Sequence, residues 1–334
     1  MRSAVRRVAR PRGAVAAVLL FVPAMAMPAA ADQGGVSFWL PGFFGSLAAV
    51  PPTPGWSVAS IYYHTSTDAG RNVQFPRGGA LIAGLVADAD IGFVSPNYTF
   101  KTPILWGGLA TVALLSGYGH LEATADAVLT GPLGRTIALS RTDDRTGFTD
   151  VPVFGKLNWN AGVHNYMLYT SVNVPNGTYE RRLANLSIGH WVADSGAGYT
   201  YFDQKTGWEF SAVLGFTYNF ENYTTDYQNG IDMHLDWAAS KFLTKQWQAG
   251  VVGYAYQQLT GDSGSGAVLG GFESRVFGVG PQIGYAFPID DRTQGYLNLK
   301  GYHEFAAEHR SEGWNVWLTF SISPAPPAAR HTGQ

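Results

Sequence analysis

The sequence contains no cysteine, which excludes a disulfide framework and any thiolate metal site. Charge is scarce as well: Asp, Glu, Lys and Arg make up 14% of the 334 residues, against about 25% in soluble domains. Past the first 31 residues, no stretch approaches about 18 consecutive apolar residues, so the chain encodes no transmembrane helix. There is no G-x-S-x-G elbow, phosphate-binding loop or H-E-x-x-H helix. No cofactor is expected, and the reading is of a protein that is not an enzyme.

What the chain does have is 19 Phe, 17 Tyr, 10 Trp and 41 Gly. Little charge, many aromatics and glycines, and no helical span together point to an all-β fold, an antiparallel transmembrane β-barrel. The start of the chain reads separately. Arg2, Arg6, Arg7, Arg10 and Arg12 are followed by an apolar run from Ala14 to Val22 and then by Ala29-Ala30-Ala31, the layout of a secretory signal peptide over 1–31. Those five arginines leave 17 basic against 24 acidic residues in the remainder, near −7, which argues against nucleic acid as a partner.

Period-two alternation carries the strand reading, because successive side chains of a strand point to opposite faces. In 231–240, Ile231, Met233, Leu235 and Trp237 share one face, and Asp232, His234, Asp236 and Ser240 the other. Along 208–220, Trp208, Phe210, Leu214, Phe216 and Tyr218 oppose Glu209, Ser211, Thr217 and Asn219. Near the end, Leu297, Leu299 and Phe305 oppose Asn298, Lys300 and Glu304, and Trp314, Val316, Leu318 and Phe320 oppose Asn315 and Trp317. Breaks alternate between short (101–104, 161–164, 204–207, 243–246, 288–294) and long (66–82, 127–146, 175–191, 220–228, 260–271, with a last at 308–312). Short periplasmic turns alternating with long external loops are the habit of outer-membrane barrels. About twelve strands are expected within 56–323, including 83–100, 105–126 and 146–160.

Two segments fall outside that wall. Residues 32–55 carry Phe38, Trp39, Leu40, Phe43 and Phe44 among prolines and glycines too dense for a central strand. Either a plug folded into the lumen or a periplasmic flap on the barrel mouth accommodates them. The Pro- and Ala-rich tail, 324–334, is expected to be disordered.

Parity turns Glu209, Asp232, His234, Asp236, Tyr254, Tyr256, Lys156, Lys300, Glu304 and Trp317 toward the lumen. His234 flanked by Asp232 and Asp236 could ligate a metal, but one strand converges too little for that, and a polar lining of a wet lumen is the simpler expectation. Charges such as Glu209, Lys156, Lys300 and Glu304 serve equally as a structural network or as a path for solute. Tyr254, Tyr256 and Trp317 could pack against an aromatic solute or fill a narrow lumen.

Several stretches resemble the MetA-pathway of phenol degradation family of SphA-like outer-membrane proteins. They are Leu40-Pro41-Gly42 with Pro51-Pro52, Pro175-Asn176-Gly177-Thr178-Tyr179, Thr206-Gly207-Trp208-Glu209-Phe210-Ser211, His234-Leu235-Asp236-Trp237, the run from Gly253 to Gly264, and Gly278 to Tyr285. The resemblance departs at Asn176, where the family favours Thr, and at His309 and Ser311. It implies a barrel akin to transporters of long-chain fatty acids and toluene. The expectation is a bacterial outer-membrane channel for small hydrophobic, including aromatic, compounds. Its partners are outer-membrane lipid, those solutes and the barrel-insertion machinery. The alternatives are an outer-membrane lipid-modifying enzyme and a structural or adhesive barrel.

Overall fold

A computed structural model describes residues 38–326, apart from 70–73, 78–79, 131–135, 178 and 268–270. The expected signal peptide, residues 32–37 and the tail beyond 326 lie outside the described residues. The chain forms a closed antiparallel barrel of twelve strands. β1 is Gly55–Asp68 and β2 is Leu85–Thr99; between them Gln74–Arg77 pairs with Ala80–Ala83 in a separate two-stranded sheet. β3 is Leu109–Leu114 and Ser116–Thr130, interrupted at Leu115. β4 is Thr136–Phe148 and Val151–Ala161. Then follow β5 His164–Val174, β6 Val192–Asp203, β7 Trp208–Asn219 and β8 Asp232–Phe242. The last four are β9 Trp247–Gln258, β10 Arg275–Pro288, β11 Thr293–Glu308 and β12 Glu312–Pro324. Each strand pairs with its neighbours in sequence, and the ring closes where β1 meets β12, with Tyr63 opposite Trp317. Closure leaves no strand edge to face hydrocarbon, where an unpaired peptide group costs several kcal/mol.

Side chains sort across the wall as the alternation requires. On β7, Phe210, Leu214 and Phe216 are 40–46% exposed while Glu209, Ser211 and Thr217 are 3% or less. Exposed aromatics cluster at the two rims of the apolar band. Trp56, Phe100, Trp106, Trp208 and Trp247 lie at the turn side, and Tyr118, Phe148, Trp191, Tyr218 and Trp314 at the loop side. Such belts sit where amphipathic rings meet head groups. The turns are tight. At Gly207 φ is +76°, and a Cβ there would sit 2.6 Å from the Phe242 carbonyl oxygen, so only glycine fits. In the 289–292 turn the Arg292 N–H donates to Asp290 at 2.7 Å and, foremost among its contacts, holds that carboxyl below its usual range.

Three expectations need correction. Residues 127–146 are not a long break: β3 runs to Thr130 and β4 starts at Thr136, paired down to Thr130 opposite Thr136. Polar side chains there read as loop, yet cross-strand pairs such as Thr124 with Thr142 carry a strand beyond the membrane as readily as apolar ones. β3 also begins at Leu109 rather than 105, because Ile104 bridges Gly108 around a turn with positive φ at Leu105 and Trp106. The break at 308–312 shrinks to a three-residue connection.

The outward face changes character along β2. Val94 and Tyr98 face lipid, whereas Asp88 and Asp90 are exposed farther out, beside His64, His120 and Glu122 on the adjacent strands. His64 Nδ1 lies 2.8 Å from Asp90 and His120 Nδ1 2.8 Å from Thr146. This ladder marks wall standing above the hydrocarbon. Replacing Leu214 with Arg is therefore expected to lower the unfolding free energy in lipid vesicles by about 2–4 kcal/mol, and Asp88→Arg by about 0–1 kcal/mol. Equal losses at the two sites would place the membrane band elsewhere.

Candidate functional site

Residues 38–54 pack against the inward faces of the wall, in three tiers. In the tier nearest the short turns, Glu209 accepts hydrogen bonds from Ser46 Oγ at 2.8 Å and Leu47 N at 3.0 Å, and also from Ser211 Oγ. Ser240 Oγ lies 2.8 Å from Ser46 Oγ, and Gln282 donates to both hydroxyls. The Ala49 N–H donates to Thr200 Oγ1 at 3.1 Å, and Asn158 Nδ2 to the Ala49 carbonyl at 3.1 Å. Every element of this tier sits at the turn end of β4, β6, β7, β8 or β10.

The middle tier is organised by one cation. Lys300 Nζ donates to three consecutive carbonyls, those of Gly42, Phe43 and Phe44. Its ammonium also lies 5.1 Å from the centre of the Trp317 ring, whose Nε1 donates to the Pro41 carbonyl at 3.2 Å. Gly42 has φ +83°, and a Cβ there would lie 2.5 Å from the Tyr302 ring. The turn that presents these carbonyls to Lys300 thus needs glycine twice over, for conformation and for closeness.

In the upper tier Trp39 is sandwiched. Its ring stacks on His234 at 4.7 Å and on Tyr256 at 6.0 Å, with the edge of Tyr254 at 5.8 Å. Trp39 Nε1 donates to Asp236 at 3.3 Å. His234, fully buried, has Nε2 2.9 Å from Asp194 and 3.4 Å from the Tyr169 hydroxyl. Asp194 also accepts from Thr217 at 2.6 Å. Nothing larger than hydrogen fits at Gly215, where a Cβ would be 2.0 Å from the Tyr169 oxygen and 2.5 Å from His234.

The sequence-derived residues therefore share one lumen but not one constellation. Asp232 accepts from Asn219 at 2.8 Å and Tyr256 at 2.7 Å, His234 pairs with Asp194, and Asp236 meets Trp39. Glu304 accepts from Tyr254 at 2.7 Å, a hydroxyl that Asn315 also reaches at 3.0 Å. Among the described residues no group of three or more His, Asp or Glu is placed to hold a metal ion. Each carboxylate has at least one hydroxyl, amide, indole or imidazole partner, which is how a low-dielectric interior tolerates charge, while Asp236 Oδ1 and Glu304 Oε2 are buried without one. Sequence reasoning passed over Tyr169, Asp194, Thr200, Gln282 and Tyr302. Their inward parity on β5, β6, β10 and β11 was the available signal.

An apolar arc completes the lumen. Tyr63, Leu85, Ile91, Phe93, Leu115 and Leu121 point inward from β1, β2 and β3 and form one buried cluster with Trp39 and Leu40. The 175–191 loop folds over it, burying Leu183, Leu186 and Ile188. Two carboxylates of β4 and its break hold that loop down. Asp143 accepts from Arg182 Nε at 3.2 Å and from the N–H groups of Leu183 and Ala184 at 3.1 and 3.2 Å. Asp150 accepts from the N–H groups of Gly177 and Ile188, each at 3.0 Å.

A closed twelve-stranded wall with a lipid-facing apolar band, aromatic rims and a hydrogen-bonded lumen defines an outer-membrane β-barrel, resident in the bacterial outer membrane. Residues 52–320 match the model of the MetA-pathway of phenol degradation family, and the chain belongs to that family. Its fold is shared with an outer membrane channel from Pseudomonas putida F1, at TM-score 0.62 and 12% identity over 86% of this chain and 100% of that one. A FadL homologue from Pseudomonas aeruginosa aligns at TM-score 0.35 and 10% identity over 89% of this chain and 99% of that one. No curated protein matches the chain in sequence.

Hydrogen bonds to a charged donor are worth roughly 1.5–3 kcal/mol each. Lys300→Met, which removes three of them, is accordingly expected to speed amide exchange across 38–54 by about tenfold or more, read by hydrogen-exchange mass spectrometry. Unchanged exchange would mean that the segment is fixed by its aromatic contacts and its bonds to Glu209, Thr200 and Asp236 without Lys300.

Proposed function

We propose that this barrel is a channel through which small hydrophobic compounds, aromatic ones included, cross the outer membrane by passive diffusion, and that residues 38–54 are its plug. The observation that carries this reading is the apolar arc of β1 to β3. Where the wall rises above the membrane, its outer face bears Asp88, Asp90 and Glu122 and its inner face bears Leu85, Ala87, Ala89, Ile91 and Leu121. A barrel serving hydrophilic solutes has no use for an apolar interior, which water wets poorly. A hydrophobic solute gains by leaving water for such a surface, at about 25 cal/mol per Å² buried.

The arc leads from under the 175–191 loop down to Phe38, Trp39 and Leu40, where the plug begins. Weak binding and diffusion suffice there, since no motif in the chain couples an energy source to movement. Polar groups along the other arc, Asp232, Asp236, Tyr254, Tyr256 and Glu304, bind one another and the plug, and so set the plug's position. The family's pathway name agrees with an aromatic cargo.

The test is toluene uptake into proteoliposomes carrying the folded chain, its 38–54 deletion, or Leu121→Asp. Uptake above protein-free vesicles is expected, faster by severalfold after the deletion and slower by severalfold with the introduced carboxylate. Absence of toluene uptake by the folded chain and its deletion alike would overturn the reading.

A further inference from the structure

Two lysines reach into the lumen, and the wall treats them differently. Lys300 is met by three carbonyls. Lys156, on β4, has neither a hydrogen bond nor an ion pair among the described residues. Its ammonium instead lies over two rings, 5.3 Å from the centre of Phe44 and 6.0 Å from that of Phe154. Lys156 is half-buried, and ring faces attract a cation less strongly than an anion in the same position does. A half-buried cation without an anionic partner carries a cost, and the two carboxylates nearest the patch are engaged elsewhere, Asp194 with Thr217 and His234 and Asp236 with Trp39.

The neighbours of Lys156 form a compact set. Across the β4–β5 ladder Phe154 is opposite Ser171, and Lys156 is opposite Tyr169. One ring, one ammonium, a second ring and a hydroxyl thus occupy the four corners of one inward patch. Ser171 is 2% exposed, and its hydroxyl has no partner, yet it lines a small cavity with Phe154, Tyr169, Phe43, Phe44 and Asp194, whose carboxylate is already met by Thr217 and His234. A buried hydroxyl left unpaired is uncommon. Lys156 stands diagonal to it across the β4–β5 ladder.

Phe44 fills the middle of the patch. Its ring packs on Tyr169 at 5.2 Å and on Phe43 at 5.2 Å, and Phe43 in turn stacks on Phe154 at 5.5 Å, 12° from parallel. The space left over is about 20 Å³, room for little more than one water. Phe44 belongs to the segment read above as the plug, not to the wall. It therefore occupies the place of a planar ring between Lys156 and Tyr169, and lacks only the negative charge and the acceptor oxygens that Lys156 and Ser171 would meet.

We infer that Phe154, Lys156, Tyr169 and Ser171 form a subsite for the anion of a monocyclic aromatic acid, held shut by Phe44. The ring of the acid takes the position of the Phe44 ring, its carboxylate pairs with Lys156, and one carboxylate oxygen accepts from Ser171. This deepens the channel reading and rests on it for the route by which the acid arrives. It adds a charged class of cargo that the apolar arc alone does not call for.

The test uses the full chain folded in detergent, with folding checked by heat-modifiable gel mobility, and titration calorimetry with benzoate, toluene and cyclohexanecarboxylate. Phe44→Ala is expected to bind benzoate at least tenfold more tightly than the unaltered chain, and more tightly than cyclohexanecarboxylate. Adding Lys156→Met should cancel that gain and lower the benzoate-to-toluene affinity ratio at least tenfold, while Lys156→Arg should retain most of it. Should Phe44→Ala fail to fold, Phe44→Leu keeps an apolar filler without a ring and serves the same comparison. Benzoate binding indifferent to Lys156→Met, or an equal loss for toluene, would overturn the subsite. Toluene uptake by vesicles without benzoate binding in any variant would leave the channel standing and remove the subsite. Lys156-dependent benzoate binding without toluene uptake would do the reverse.

Discussion

A polypeptide in hydrocarbon has no solvent to complete its hydrogen bonds, and that constraint shapes every level of this structure. The backbone meets it by ring closure between β1 and β12. The side chains meet it by facing outward when apolar and inward when polar. An inward polar side chain has still only moved its difficulty, because the lumen is nearly as dry as the lipid wherever protein fills it. Glu209, Asp236 and Lys300 are answered not by the wall alone but by Ser46, Trp39 and the carbonyls of Gly42 to Phe44. Segment and wall are each incomplete without the other. Other lumen charges, Asp194, Asp232 and Glu304, are answered by the wall itself, and the interior is apolar where Leu40 and its neighbours reach it.

The two arcs of the lumen follow from that division. β6 to β12 carry Asp194, Asp232, Asp236 and Glu304, each with donors assigned. β1 to β3 carry aliphatic and aromatic residues that need no partners beyond contact. The asymmetry is continued outside. The same strands that are apolar within are acidic without, above the Tyr118 and Phe148 level, so their solvent is water on the outer side and protein on the inner. Sidedness in this protein is thus set by depth as well as by parity.

Depth is also what the sequence conceals. Alternation in 208–220, 231–240 and 296–322 named lumen residues correctly because those strands lie within the band, where apolar means lipid-facing. Along Leu85 to Phe93 the alternation is just as regular, but the apolar set points inward, and nothing in the period tells where hydrocarbon ends. The long hairpin of β3 and β4 escaped for the same reason, its polar side chains imitating a loop. The aromatics of 38–44 announced a segment in need of cover. Which groups cover them could not be read, since Ser46 meets Glu209 across 163 residues and Gly42 meets Lys300 across 258. Tyr169 and Asp194 were visible only as parity, and Ser171 and Phe154 only as ordinary members of their strands.

Ring closure between the first and last strands has a kinetic corollary. Tyr63 finds Trp317 only after every intervening stave exists, so the contact that removes the final bare edge is also the most distant in sequence. Pairings of such long range make slow folders, and a bare edge is an invitation to pair with a neighbouring chain. Its last bare edge is covered only when β12 pairs with β1, so closure of the wall is in that sense all or nothing.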